Sequence, residues 1–461
     1  MVYICFRHLF LTVPYYNKGV FKMKSLISIL SILLIFMIGA CAGPRGPMTP
    51  QQEADMLYAK ASQLNDGELY DQANNQFEEY ANKFPESKRA DNAKLQIANN
   101  NFQQEKYDQA ITVYQEVLDQ YPESDASDDA LLSIGNVYFV QQKYDEANEA
   151  YKKIIQKYPR FGTEVSLKAR DRVHAIEDIK IDIKILTEGK DADKDNAQYE
   201  IGDIYFSVFN FYDRARDEFQ KLVDRWPKSE MADNALWKMG ECYWNIALQQ
   251  TQSFGLTNEH LAYIALMEYY DKFPQLAKIK LFRLDVHWPT GDESSEYRAA
   301  YMQVRQIVNK YPGIQDKKII DFLPEDYRKA FEKWQEIMYS YSHTDTAVDV
   351  PMRIAQGLID LGNLYYNIGE KHFAGILLKE SLLVKPTPEG HLGMARYYGN
   401  ITSIASPAWA YRRAFAHINA AEKLTAPDSP MADKVSWAKE WMNYKMRIEG
   451  LESWSDKKTN R

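Results

Sequence analysis

Chemistry has few places to reside in this chain. Three cysteines and eight histidines are its stock of soft nucleophiles and metal ligands, and only Cys41 sits in a pattern with a chemical purpose. It closes the run Ile38-Gly39-Ala40-Cys41, behind Lys24 and an almost unbroken apolar stretch from Leu26 to Ile38. A basic start, a short apolar stretch and a small-residue cleavage site mark a targeting segment that is removed from the mature chain. The stretch falls short of the ~20 residues that a membrane-spanning helix needs. A thiol directly after the cut can take a diacylglycerol before cleavage frees its amino group, so these residues predict a lipobox with Cys41 as the lipidation site. An ordinary secretory signal with an incidental cysteine, or an anchor that is never cut, would use the same residues. Residues 1–22 precede the pattern, and Met23 reads as the true start.

The other reactive groups do not assemble. No nucleophile elbow, phosphate loop or paired-histidine zinc motif occurs in the sequence. Ser342-His343-Thr344-Asp345 reads as a solvated turn after a helix, and His287 near Trp288 and Asp292 as a loop. Cys242 stands beside Tyr243 on a helix, where a small buried thiol behaves as an apolar residue. Once Cys5 leaves with the presequence, Cys41 and Cys242 cannot make a disulfide framework. No catalytic residue, metal or cofactor is expected, and the chain reads as a non-enzyme.

Charge narrows the partners. Residues 1–40 carry four bases (Arg7, Lys18, Lys22, Lys24) and no acid, so their loss lowers the net charge from −8 to −12. Such a surface repels nucleic acid. No polybasic run lies beside the anchor to hold anionic headgroups. A mature length of 461 − 40 = 421 residues exceeds what one compact core serves, which predicts a repeat array or two domains.

Repeats are present. SKRADNAKLQIA from Ser87, SDASDDALLSIG from Ser124 and SEMADNALWKMG from Ser229 align without gaps, each after a proline at Pro85, Pro122 or Pro227. The proline ends one helix, the serine can cap the next, and Asp91, Asp128 and Asp233 fall where a helix N-terminus favours negative charge. In the clearest unit Leu131, Ile134, Gly135, Tyr138, Ala147, Tyr151, Ile154 and Pro159 follow one another at the tetratricopeptide offsets, over about 34 residues. Small residues at Gly135 and Ala147 let two antiparallel helices approach, and aromatics fill the space between units. The same register fits Ala61, Ala73 and Phe77; Ala98, Ala110 and Tyr114; and Gly362, Ala374 and Leu378. Two units depart from it. One, with Gly202, Ala215 and Phe219, has an extra residue in its turn. The other joins Gly240 and Tyr243 to Ala262, Leu266, Tyr269 and Pro274 across an insertion of 22 − 12 = 10 residues. The helix-like stretch from Val165 to Leu186 fits no register.

The first helix of each unit has a second apolar stripe about 100° from the core face. Counting the small residue as position 8, position 5 holds Tyr58, Leu95, Leu132, Tyr199, Trp237 and Ile359. Position 9 adds Asn99, Asn136 and Asn363, and position 12 holds Phe102, Phe139, Phe206, Trp244 and Tyr366. Such a stripe predicts a protein-binding groove, with the asparagines offering one donor and one acceptor to a peptide backbone. The alternative is that these rings seal neighbouring units. Without lysine at position 5, a clamp for a terminal carboxylate is not expected.

The lipobox, the repeats and the Tyr/Phe-Pro-x-Ser linkers together resemble the tetratricopeptide lipoprotein of the outer-membrane β-barrel assembly machinery over residues 41–274. The repeats are also similar to those of the Tol-Pal-associated periplasmic coordinator. The resemblance implies an all-α tetratricopeptide-repeat helical solenoid of antiparallel helix pairs after a cleaved lipoprotein signal. It further implies a lipid-anchored scaffold in the bacterial cell envelope, on the outer membrane and facing the periplasm, that binds protein or peptide partners such as a β-barrel assembly subunit. An adaptor for cell-wall synthesis, secretion or motility fits the same residues. The expected organisation is a signal peptide over 1–40, a tether over 41–53, an array over 54–275, an irregular linker over 276–296, a C-terminal helical half over 297–448 and a tail over 449–461.

Overall fold

The structure is a computed structural model that describes residues 48–158, 163–250, 255–278, 295–400 and 407–451. Cys41 and its signal, the loop of His287 and Trp288, and most of the tail lie outside the described residues. Every regular element among the described residues is a helix. None of these helices is long and apolar enough to cross a membrane. The chain divides into two compact units, Met1–Ser133 and Ile134–Arg461.

The first unit contains α1 (Pro50–Asp66), α2 (Tyr70–Lys83), α3 (Ala90–Gln103) and α4 (Tyr107–Gln120), and α5 (Asp125–Val140) runs across the division. α1 starts inside the segment read as tether because Thr49 and Gln52 form a capping box and Pro50 takes the first helical turn, where a missing N–H is no loss. The small residues Ala61 of α1 and Ala73 of α2 are buried beside Phe77 and Tyr80, as the repeat spacing predicts. Between α2 and α3 the buried Asn100 donates to Asn74 at 2.8 Å. Lys94 of α3 reaches Glu78 on α2 at 3.3 Å and Glu116 on α4 at 3.1 Å, so one cation ties three helices.

The second unit continues with α6 (Tyr144–Lys157), the 25-residue α7 (Glu164–Glu188), α8 (Asp191–Asp203), α9 (Tyr212–Arg225) and α10 (Ala232–Gln250). The extra residue in the unit of Gly202 is absorbed by a single π turn, Ile204–Val208, at the end of α8. Helix turns of this kind arise where one residue is inserted into a helical register. The turn between the two helices of a repeat carries a left-handed residue at a matching place: Gln142 (φ 60°) and Asn210 (φ 56°) here, and Glu68 (φ 56°) and Glu105 (φ 57°) in the first unit.

Beyond α10 the expected pairing is corrected. α11 (Asn258–Lys272) and α12 (Ser295–Lys310) follow in sequence, but α10 packs against α13 (Glu325–Ser340). Trp334 of α13 lies where a methyl on Gly240 would go, and its Nε1 donates to the carbonyl of Trp237 at 3.3 Å. Ala262, Leu266, Tyr269 and Pro274 therefore do not supply the second helix of this repeat. Residues 251–324 are an insertion inside one repeat, and the array runs on past 275 through α14 (Asp345–Asn367) and α15 (Lys371–Val384). The linker expected at 276–296 falls mostly outside the described residues. α16 (Pro388–Tyr398), α17 (Pro407–Leu424) and α18 (Pro430–Ile448) complete the unit, around a core of Tyr398, Tyr411, Ile418 and Met442.

The Ser342-His343-Thr344-Asp345 turn is a helix connection. Thr344 caps α14, its Oγ1 accepting from the Ala347 N–H at 3.4 Å, while Ser342 and His343 are exposed. The preceding Tyr341 donates its hydroxyl to the Pro227 carbonyl at 2.7 Å, which joins two inter-repeat linkers of the same unit.

Candidate functional site

Most side chains of the second stripe touch a neighbouring helix, and five of them are buried. In each clear repeat the aromatic four residues after the small residue of the second helix lies over position 8 of the first. A methyl on Gly135 would enter the Tyr151 ring, and one on Gly202 would stand 2.7 Å from Phe219. Where that ring is a tyrosine, it carries a hydroxyl to the neighbouring position 9. Tyr114 donates to Asn99 at 2.7 Å and Tyr151 to Asn136 at 2.8 Å. Each of these carbonyls accepts from the repeat's own tyrosine, so part of its acceptor capacity is used within the repeat. Asn363 accepts from Arg396 Nη2 at 2.6 Å.

Position 12 is likewise used within the repeat. Phe102 meets Tyr107, Phe206 meets Tyr212 and Trp244 meets Tyr327, at centroid separations of 5.9, 5.4 and 4.8 Å. Phe139 has no exposed surface and stacks on Phe209 at 3.7 Å. Tyr366 lies under Arg396, 4.0 Å from its guanidinium. At position 5 Leu95, Leu132 and Ile359 are buried, as is Trp244 at position 12, while Tyr58, Tyr199 and Trp237 are half-buried. Tyr58 packs edge-on against Phe77 and Tyr80, and Tyr199 tilts onto Phe219. The reason is geometric: a stripe 100° from the core still faces a helix when each helix has neighbours on two sides. Phe139, Trp244, Ile359, Leu95 and Leu132 are core residues.

An open concavity lies elsewhere in the second unit. The inserted α11 crosses α15, held by Glu268 to His372 at 2.6 Å and Asp271 to Lys379 at 2.7 Å. The base of the insertion is fastened by His260, whose Nε2 stands 2.8 Å from the Phe322 carbonyl, and by Lys317 to Glu259 at 2.6 Å. Between α11, α15, α16 and α17 this leaves a cleft of about 790 Å³. Met394, Tyr397 and Tyr398 line its apolar part, with Trp409 and Arg413 one helical turn apart on α17. The Arg413 guanidinium sits 5.2 Å from the Trp409 ring.

Burial and charge set the protonation of the cleft. The Glu268 carboxylate beside His372 holds its imidazole pKa above the ordinary value, against the opposing effect of burial. Burial raises the carboxyl of Glu380. Behind the lining, His417 stacks on Tyr398 and shares a 2.9 Å contact between Nδ1 atoms with His391. Burial, the nearby His391 and Arg413 depress His417 to about 4. The cleft thus offers an apolar floor, a rim of ion pairs and an arginine backed by an indole. That arrangement can take an apolar side chain together with a polar backbone or carboxylate, and its size is that of small-ligand and peptide pockets. Sequence reasoning missed it because its walls come from helices more than a hundred residues apart. The one local signal was Trp409 and Arg413 at i, i+4 beside the Tyr397-Tyr398 pair. Among the described residues no group of three or more His, Cys, Asp or Glu could hold a metal ion.

Residues 23–160 match the model of a family described as a tetratricopeptide repeat-like domain, and residues 196–229 match that of the tetratricopeptide repeat. No curated protein matches the chain. Among solved structures it is similar to a tetratricopeptide repeat protein from Parabacteroides merdae, with 11% identity over 84% of this chain and 99% of that one and a TM-score of 0.22. It is also similar to yeast Tom70, with 12% identity over 87% and 90% of the two chains and a TM-score of 0.22. At these TM-scores the likeness adds nothing to what the repeats themselves establish. The recurring crossing of a small residue under an aromatic and the two matched segments make this chain an all-α tetratricopeptide-repeat solenoid, an architecture typical of non-enzymatic protein-interaction scaffolds.

Proposed function

We propose that this chain is a scaffold, anchored through Cys41 to the outer membrane and facing the periplasm, that holds a protein partner in the service of outer-membrane protein assembly. The observation that carries the binding role is the cleft of α11, α15, α16 and α17, where an insertion departs from the repeat to build an apolar floor beside Arg413. The anchor rests on the Ile38-Gly39-Ala40-Cys41 pattern. Ala42 follows Cys41 where an aspartate would retain an enterobacterial lipoprotein in the inner membrane. A second reading, an adaptor for cell-wall synthesis, secretion or motility, is favoured by one fact. The cleft lies mostly beyond residue 274, where the resemblance to the assembly lipoprotein ends.

One experiment separates these readings. A photo-crosslinking residue at Trp409 in intact cells should capture a partner, and the same probe at exposed Glu188 should not. Capture of a β-barrel-bearing assembly subunit supports the first reading, and capture of a wall, secretion or motility component supports the second. No capture from Trp409 would remove the cleft as the binding site. In the same cells Cys41→Ser should move the protein from the membrane to the soluble fraction. An unmodified Cys41 thiol in the intact mass of the wild type would refute the anchor.

A further inference from the structure

The helices α8, α10, α14 and α16 repeat one contact at their three junctions. In each, a cation from the later helix reaches position 9 of the earlier one and lies over its position 12 ring. Lys238 of α10 pairs with Asp203 at 2.5 Å and stands 4.6 Å from the Phe206 ring. Arg353 of α14 pairs with Glu241, its Nη2 at 3.0 Å, and stands 5.0 Å from the Trp244 ring. Arg396 of α16 reaches position 9 at Asn363, at 2.6 Å, and stands 4.0 Å from the Tyr366 ring. The first two cations meet a carboxylate, and the third meets an uncharged amide.

Arg396 therefore keeps its whole positive charge in a half-buried place. Burial lowers its pKa, and only Tyr366 acts in the opposite direction, so no carboxylate among the described residues compensates it. Its Nε is buried without a hydrogen-bond partner. Nη2 gives one hydrogen to Asn363, which leaves its other hydrogen and the pair on Nη1. Two ammonium groups adjoin. Lys371, exposed at the start of α15, lies 5.9 Å from the same Tyr366 ring. Lys445 of α18 donates to the Gly399 carbonyl at 2.7 Å and to Asn400 at 2.9 Å, and Asn400 donates in turn to the Arg396 carbonyl at 2.7 Å. Burial, with Lys371 nearby, holds the Lys445 pKa below its ordinary value against the pull of Glu449. Three cations gather here in a chain of net charge −8, and a desolvated charge without a counter-charge is costly.

The earlier junctions indicate which anion fits. There the same cation over the same ring position takes a carboxylate from the chain itself, and the open edge of a guanidinium matches a carboxylate with two parallel hydrogen bonds. Lys371 beside that edge favours a segment with more than one negative charge. The place is separate from the cleft, because Arg396 turns toward α14 while Met394, Tyr397 and Tyr398 line the cleft from other faces of α16.

We propose that Arg396 and Lys371, on either flank of the Asn363-Tyr366 turn of α14, bind the side-chain carboxylates of an acidic peptide segment in a protein partner.

The test follows, by fluorescence anisotropy, a labelled amidated peptide of alternating glutamate and alanine added to the full chain carrying Cys41→Ser. The parent should bind it. Asn363→Asp supplies the carboxylate that Asp203 and Glu241 supply at the earlier junctions, so it should lower the affinity by about tenfold or more, the scale of one charge-assisted hydrogen bond. Its thermal midpoint should not fall. Lys371→Gln, at an exposed position, should weaken binding by a smaller factor. Absence of binding at every attainable peptide concentration overturns the proposal, as does an Asn363→Asp variant that binds like the parent. Equal binding of a glutamine-alanine peptide with a free C-terminus would assign the site to a terminal carboxylate instead, and equal competition by inorganic phosphate would assign it to phosphate. Binding that appears only once Glu452→Gln and Asp456→Asn are introduced would give the site to this chain's own C-terminal segment. Each of these results is read on purified chain and peptide alone, so failure here leaves partner capture from Trp409 untouched.

Discussion

Gly135, Asn136 and Tyr151 show how one residue position does two jobs. The ring of Tyr151 needs position 8 to be small, and its hydroxyl needs an acceptor one residue further on. Gly135→Leu forces a side chain into that ring and should cost about 1–3 kcal/mol, as overpacking does. Asn136→Ala removes the acceptor and should cost about 1 kcal/mol. A Gly135→Leu urea midpoint equal to that of the parent would mean that the helices do not cross there. Protonation offers a second reading of single residues. His417 is depressed from the ordinary 6.5 to about 4, so the unfolded chain takes up a proton that the folded chain refuses. Stability then falls as pH drops through 6.5 toward 4, and His417→Gln should flatten that acid limb. His372 has the opposite sign. Its pKa is raised beside Glu268, so its contribution is complete below 6.5 and is lost as pH rises through the folded value. Urea midpoints measured from pH 4.5 to 8 check both, and an unchanged acid limb in His417→Gln would count against the buried pair.

The helices themselves were legible in the sequence wherever the small residue and its aromatic were both present. One exception is instructive. Ala262, Leu266 and Tyr269 on α11, with Phe273 just after it, reproduce the offsets of a second repeat helix, and Ala330, Trp334 and Ile337 on α13, with Tyr341 just after it, reproduce them equally. What separates them stands three residues before the alanine. Tyr107, Tyr144, Tyr212 and Tyr327 occupy that place in α4, α6, α9 and α13, and each of Tyr107, Tyr144, Tyr212 and Tyr327 meets the position 12 ring of its partner helix. In α11 the place is taken by Glu259, which pairs with Lys317. Periodicity alone cannot report a partner separated by a long insertion, and the cleft was illegible for the same reason. Trp334→Ala should cost about 3–5 kcal/mol. It should also lower amide protection along α10, which lies some 97 residues away in sequence. Protection of α10 that is unchanged would mean that α13 is not its partner.

In the second unit, the division of labour is between repeats that consume their aromatics in packing and an inserted helix that holds open a cleft lined by the aromatics of α16 and α17. Trp409→Ala should accordingly weaken partner capture by about thirtyfold, the scale of 2 kcal/mol for an aromatic anchor, while the thermal midpoint moves little. A large loss of stability with no loss of capture would place the partner elsewhere. The insertion has a further consequence, in time instead of space. Between Gln250 and Glu325 lie 325 − 250 − 1 = 74 residues, so α10 reaches α13 only by closing a loop about twice the length of one repeat, a non-local contact of the kind that slows folding. Until that loop closes, the face of Gly240 and Trp244 lacks the Tyr327 and Trp334 rings that cover it.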